Sequence, residues 1–483
     1  MVSFIVSIVL LVLGYIFYGR FVAKVFGADS ERVTPAISSA NGVDYVPMPA
    51  WKVFLIQFLN IAGLGPIFGA IMGAMYGPSA FLWIVFGSIF GGAVHDYLSG
   101  MLSLRRNGAS LPEIIGEELG NVVKQFMRVF ALILMSLVGA VFVSGPAGLL
   151  HGMITSMSTT AWIIIIFVYY ILATLLPIDK LIGKIYPLFG IALLFMAVGI
   201  LVALFINNAP IPEITEGLAS QHPKGYPIFP MLFVSIACGA VSGFHATQSP
   251  MMARCLKNEK WGRPCFYGAM IAEGVVALVW AAAASSFFGS VGGLQNFVAS
   301  LPPTANAAAE VVDLISRTWL GKVGGLLAVL GVVAAPITSG DTAFRSARLI
   351  AADFLKIDQT SVVKRLLVSI PIFAVAFFIL QINFDIIWRY FAWSNQTLSV
   401  FTFWALTVYL FKENKCYWIT LIPALFMTAV CSSYILVAPT PEGFGLPNLY
   451  GYIFAAVVCS LFSFLFARFA LKYKSENKNF KGN

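Results

Sequence analysis

Residues 58–77 read FLNIAGLGPIFGAIMGAMYG. With the residues just before it, this stretch is apolar and long enough to cross a bilayer, which takes about 20 residues as a helix. Yet Gly63, Gly65 and Pro66 stand at its middle. Proline has no N–H to donate and clashes one turn back, while glycine accepts non-helical dihedrals. A helix interrupted there frees backbone groups that lipid cannot satisfy, so protein, water or a ligand must. Residues 231–250, MLFVSIACGAVSGFHATQSP, repeat the pattern, with Gly239, Ser242 and Gly243 at mid-span and Pro250 expected to close it. Either stretch alone is equally well read as a small-residue packing surface. Two of them at matching positions point to a transporter core built on discontinuous helices.

The rest of the chain agrees. Of 483 residues, 59% are hydrophobic and only 11% charged, with a mean hydropathy of +0.88. Soluble chains carry about a quarter charged residues. The composition excludes a soluble enzyme, a disordered chain and a disulfide scaffold. The six cysteines form no CxxC and read as apolar fillers and free thiols, so no metal site is expected. The apolar run from Val2 to Tyr18 has no basic region before it and reads as a retained helix rather than a signal peptide.

Hydropathy predicts roughly thirteen spans: 2–24, 52–75, 79–104, 126–152, 160–177, 185–206, 227–249, 265–288, 321–344, 363–380, 385–411, 416–437 and 447–471. With the N-terminus outside, about 26 of the 30 Lys and Arg fall in cytoplasmic loops, among them Arg105, Arg106, Lys180, Lys184, Arg254, Arg348 and Lys481. Only Lys224, Arg317 and Lys322 fall outside, and Arg389 lies within a span. The net charge of +9 is therefore a topology signal that favours contact with anionic lipid and carries no implication of nucleic acid.

The two broken spans lie five apart and so run in opposite directions, as an inverted five-helix repeat requires. The expected fold is an all-α polytopic membrane protein with a five-plus-five, LeuT/APC-type core. Residues 51–206 form repeat one and 226–412 repeat two; 1–26 is an extra N-terminal helix, 416–472 a peripheral pair, and 473–483 a disordered cytoplasmic tail. Residues 207–225 are an outer loop, part of 289–320 is a candidate helical cap over the outer mouth, and Ser110 with Glu113 is a candidate capping box.

Several motifs carry a resemblance. DYVPMPAWKVFLIQFLNIAGLGPIFGAIMGAMYG (44–77), GGAVHDYLSGMLSLRRNGASLPEIIGEELG (91–120), IACGAVSGFHATQSP (236–250), SGDTAFRSAR (339–348) and the Asn395-Gln396 pair are similar to those of the carbon starvation protein A (CstA) family. The resemblance runs from about residue 14 into the span at 385–411 and implies a bacterial inner-membrane secondary transporter. Members are associated with peptide uptake in carbon starvation, and some relatives with proton-coupled pyruvate uptake. This chain is short for the family. It has Ile56-Gln57 where many members have two adjacent histidines, which puts any mechanism using those histidines in doubt.

Ionisable groups inside spans are functional candidates because burying them is costly. Glu273, alone in GAMIAEGVVALVW, is the first candidate proton carrier. His95 and Asp96 form a candidate relay, or else lock helices by meeting Arg105 or Arg345. Asp341 and Arg345, one turn apart, are expected to pair as a gate, with Asp341 also a candidate for coupling. Thr338 and Ser339 are candidates for a sodium site, or bond back to their own helix. Asn60, Gly63, Gly65, Gly239, Ser242, Gly243, His245, Asn395 and Gln396 are the candidate substrate contacts, a substrate carboxylate being suited to the exposed N–H groups of the breaks. Arg389 either attracts a carboxylate or snorkels to the interface, the second being favoured. His151 and His222 are assigned no role.

The expected function is a secondary active importer of peptides or small carboxylates such as pyruvate, coupled to H⁺ or alternatively Na⁺, with no cofactor. The sequence contains no HExxH or GxSxG, so an enzyme is not expected. A channel fits paired breaks poorly, and a starvation sensor lacks an output domain. Oligomeric state is not legible.

Overall fold

A computed structural model describes residues 1–154, 156–176, 182–302, 305–382 and 384–480. Lys180 and Lys481 of the charge tally lie outside the described residues, and the side chain of Lys322 is likewise not described. The described residues are helical, with a single β-bridge between Met48 and Leu256.

Eight helices among the described residues are long and apolar enough to cross a membrane: Val2–Phe26, Ser79–Arg105, Asn121–Gly152, Tyr186–Ile206, Glu259–Phe287, Val362–Ile379, Trp418–Val437 and Asn448–Glu476. A ninth candidate is the pair Ala50–Ile61 and Gly65–Ala74, bent by 54° at Ala62–Leu64. The other expected spans are helical too: the shorter Thr159–Leu175, the second broken span, Ala307–Leu355 and Phe384–Lys412. Burial separates centre from rim. Ser79–Arg105 and Glu259–Phe287 are 83% buried over their apolar windows, and Asn448–Glu476 only 6%.

Both expected breaks are present. The second broken span is helical over Ile228–Leu232 and Phe233–Ser235, loses helical geometry at Ile236, and resumes at Gly243–Ala253. Pro250 lies inside this last helix and does not close it. The breaks pack against each other. A methyl group on Gly65 would fall 2.2 Å from Cβ of Cys238, and one on Gly69 would fall 2.8 Å from the Ser235 carbonyl. Glycine is required here because a methyl would meet the Cys238 side chain at Gly65 and backbone at Gly69.

Helix Ser79–Arg105 runs alongside the second break. Gly87, Gly91 and Gly92 present no side chain to Ala240 and Val241, and a methyl on Gly92 would lie 2.3 Å from the Ala240 carbonyl. This close approach sets the next turn, His95 and Asp96, against His245. Beyond the far end, residues 291–300 form a helix, and Gly321 (φ +65°) kinks Ala307–Leu355. The expected cap over 289–320 is thus helical in two pieces.

Two local expectations are corrected. Ser110 precedes helix Leu111–Leu119, but its side chain makes no capping bond. Glu113 turns instead to Arg128, 2.8 Å away, and to Lys124. The polar tail after Tyr473 is helical to Phe480, continuous with the last span; residues 481–483 lie outside the described residues.

The ends of the helices sort into two groups. At one end, the Val2 and Ser3 N–H groups donate to Glu213, and Arg389 pairs with Glu442. The opposite, basic end gathers Asp44, Arg105, Glu259 and Arg348, and holds Lys412 against Glu118.

Candidate functional site

Four ionisable side chains meet beside the second break, and all are fully buried. Asp96 is the centre. Its Oδ1 lies 2.8 Å from His95 Nδ1, and its Oδ2 lies 2.9 Å from His245 Nδ1. On its other edge His245 Nε2 faces Glu273 Oε2 at 3.5 Å, the outer limit of hydrogen-bond reach. Among the described residues Glu273 has no hydrogen-bond partner on either oxygen, and His95 Nε2 has none. The sequence expectation that His95 and Asp96 are a pair is extended to a chain of four; neither residue meets Arg105 or Arg345. Arg105 goes to Glu259, at 2.9 Å.

The chain fixes its own chemistry. An ionised Asp96 only accepts, so each imidazole donates from Nδ1. That leaves the Nε2 of neutral His245 as an acceptor aimed at Glu273. A protonated Glu273 can donate to it, and transfer of that proton gives an imidazolium held between two carboxylates. Proton transfer needs a heavy-atom distance of about 2.6–3.2 Å or one bridging water. A shift of a few tenths of an ångström between helix Gly243–Ala253 and helix Glu259–Phe287 reaches it.

Asn395 and Gln396 serve the break itself. Asn395 Oδ1 accepts from the Phe244 N–H at 2.6 Å and from Ser242 at 3.1 Å, capping the second half-helix. Gln396 Nε2 donates to the Phe233 carbonyl at 2.6 Å. Trp83 and Ser88 donate to the carbonyls of Ile236 and Gly239. Protein side chains thus answer the backbone at Phe233, Ile236, Gly239 and Phe244, in and around the second break. At the first break Asn60 is fully buried and, among the described residues, has no partner on either side-chain atom; Gln57 before it and Gln248, in the helix after the second break, each keep an unpartnered oxygen. Unsatisfied polar atoms in a membrane interior are what a bound ligand would answer. Gly63 follows Asn60 by three residues, its ideal methyl position 3.1 Å from Ser339 Oγ.

Ser339 Oγ donates to the Leu59 carbonyl at 3.1 Å, across to the first broken span, and also to Ala335 at 2.9 Å. Among the described residues Thr338 bonds within its own helix, to the Ala335 carbonyl. Among the described residues no group of three or more His, Cys, Asp or Glu is arranged to hold a metal.

The expected pairing of Asp341 with Arg345 is corrected. Asp341 accepts from Tyr186 at 2.6 Å, while Arg345 donates to the carbonyls of Ala173 and Leu176. Arg345 and Arg348 instead face Asp44, at 3.8 and 3.0 Å. Burial pushes the Asp44 carboxyl up, but Arg348, Arg345 and Arg254 together outweigh it and hold it below the usual range. Asp44 lies in the segment leading into the first broken span. The same segment is tied to the chain after the second break, where the Met48 N–H donates to the Cys255 carbonyl. Asp44, Arg348 and Tyr186 were missed as site residues. Asp44 opens the first family-like motif and Arg348 closes another, so only their mutual proximity was hidden. Arg389 does not simply reach to the interface; it pairs with Glu442 at 2.6 Å. His222, assigned no role, stacks on Tyr226 with ring centroids 4.7 Å apart.

Buried ionisable residues gathered beside an interrupted helix in an all-helical, multi-pass fold define the class: a polytopic membrane protein with discontinuous helices at its centre. Among known proteins, the sequence profile of the family "Carbon starvation protein CstA" matches residues 1–152 and 146–319. The chain belongs to the CstA family. It is 44% identical over 351 residues to an uncharacterised membrane protein of Haemophilus influenzae, covering 62% of this chain and 95% of that one. It is 31% identical to the peptide transporter CstA of Helicobacter pylori, over 55% of this chain and 48% of the relative. It is 30% identical to the pyruvate/proton symporter BtsT of Escherichia coli, over 58% and 48%. The matches span about half the length of these two named relatives. In fold it is similar to the manganese transporter of Eremococcus coleocola, with a TM-score of 0.56 at 13% identity, covering 90% of this chain and 99% of that one.

Proposed function

We propose that this chain is a secondary active importer of short peptides or small carboxylates, driven by protons and working by alternating access. Residues 51–206 and 226–412 form the two inverted repeats, with the breaks at their interface and the basic end in the cytoplasm of a bacterial inner membrane. The observation that carries the proton reading is Asp96 bridging His95 and His245, with His245 facing an otherwise unpartnered Glu273. This chain joins three helices, one from repeat one and two from repeat two, so its protonation state bears on how the repeats sit together. Asn60, Gln57 and Gln248 are the polar groups left for substrate. Asp44 against Arg345 and Arg348 is the closed cytoplasmic gate, which supersedes the Asp341–Arg345 pair in that role. The relatives named peptide transporter and pyruvate/proton symporter support the same class of activity.

A sodium-coupled importer is the second reading, favoured by Ser339 reaching the Leu59 carbonyl of the first broken span. One experiment tests both. Purified protein in liposomes is offered pyruvate, amino acids and di- and tripeptides under imposed H⁺ or Na⁺ gradients. Accumulation of a peptide or carboxylate under a H⁺ gradient, unchanged when choline replaces Na⁺, is expected. Accumulation only under a Na⁺ gradient overturns the proton reading, and no accumulation of any probe overturns the importer.

A further inference from the structure

At the end opposite the basic one lies a cavity of about 400 Å³, reached from both broken spans. Its walls come from Tyr76 on the first, Met231 and Ser235 on the second, and Trp388 and Arg389 on helix Phe384–Lys412. His222 lies between Tyr76, tilted to it at a centroid distance of 4.6 Å, and Tyr226, stacked on it at 4.7 Å. Arg389 pairs with Glu442, which is itself held by the Tyr434 hydroxyl at 2.7 Å. Gln295, on the helix Val291–Ser300, donates to the carbonyls of Met75 and Gln221 and fastens the roof.

We propose that this cavity is an outer vestibule that captures the carboxylate of an organic substrate on Arg389 while the aromatic wall of Tyr76, His222, Tyr226 and Trp388 holds its body. The inference rests on the importer reading and adds a ligand class to it. Glu442 lies 2.6 Å from Arg389 Nη1, yet the Arg389 side chain remains 41% exposed and lines the cavity, so the pair does not seal the cation away. A guanidinium with five N–H donors is suited to a planar carboxylate even while one carboxylate already pairs with it. Lys224 on the rim adds a second cation. Burial and Lys224 lower His222 to about 4, so near neutral pH it is an uncharged stacking surface. Ligand pockets commonly measure about 300–1,000 Å³. This volume and four rings suit a di- or tripeptide better than a three-carbon acid.

The test uses full-length protein in nanodiscs and three probes: the dipeptide Ala-Phe, its C-terminal amide, and pyruvate. Ala-Phe should bind, and the amide and pyruvate about tenfold or more weaker, a charge-assisted contact being lost in one and the stacking in the other. R389Q should weaken Ala-Phe by about tenfold, whereas E442Q, which leaves the cation unopposed, should not weaken it. Damage to the fold would weaken both. Equal binding of Ala-Phe and its amide, or equal loss in both variants, overturns the vestibule. If Ala-Phe is accumulated in liposomes with an unchanged KM in R389Q, the vestibule fails while the importer stands. If no probe of the gradient screen is accumulated yet Ala-Phe binds as described, the importer fails while the site stands.

Discussion

A methyl group at Gly65 has nowhere to go. Its position lies 2.2 Å from Cys238 Cβ, which is fixed directly to the neighbouring backbone, and 2.4 Å from Cys238 Sγ. Overpacking of this kind costs about 1–3 kcal/mol. Gly65→Ala is therefore expected to lower the melting temperature of the detergent-purified protein, and Cys238→Gly in the same chain to restore most of the loss. An unchanged melting temperature for the single variant would show that the breaks do not pack as described. The glycines were legible in sequence because their chemistry is local. Partners were not. Asp341 and Arg345 have the right spacing to pair, but Tyr186, 155 residues away in the chain, takes the carboxylate. Asn395 looked like a substrate contact because an amide in a span needs a partner. That partner is the N–H of Phe244, supplied by a break whose position relative to Asn395 no spacing rule gives.

Between elements, the decisive contact is the segment before the first broken span closing on helix Ala307–Leu355 through Asp44. Removing one member of a buried charge pair is strongly destabilising, by about 3–5 kcal/mol, because the other charge is stranded. Asp44→Asn should therefore open the basic end. Cys255, fully buried beside this contact, should react with maleimide at least about tenfold faster than in the parent protein. Exposed Cys416 reacts equally in both and serves as the internal control. Equal protection of Cys255 would remove Asp44 from the gate. The pH sign follows from the lowered carboxyl of Asp44. A depressed carboxylate contributes stability that is complete above its unfolded value of about 4 and is lost as pH falls through the lower folded value. The latch should hold unchanged between pH 5 and 8, so pH dependence in that range belongs elsewhere. The expected breaks appeared at the element scale because proline and glycine act on their own helix. The Ser110–Glu113 cap failed because Arg128 and Lys124 offer Glu113 a stronger partner than a backbone N–H.

For the whole molecule, hydropathy and the distribution of Lys and Arg made the all-helical, multi-pass class readable before any coordinate. The motifs at 44–77, 91–120 and 236–250 made the family readable too. The site was half readable. Glu273, His95, Asp96 and His245 each stood out as costly groups in apolar surroundings, but their assembly into one chain depends on the glycine face of Ser79–Arg105 lying against the second break. The most direct test of that chain compares Glu273→Gln with the parent protein in liposomes, using whichever substrate the gradient screen identifies. The amide keeps the shape of the side chain but cannot take up or release the proton. The account predicts that E273Q retains substrate exchange between equally loaded compartments and loses accumulation driven by an inward H⁺ gradient. Accumulation by E273Q at the parent rate, with the parent dependence on pH, would contradict it.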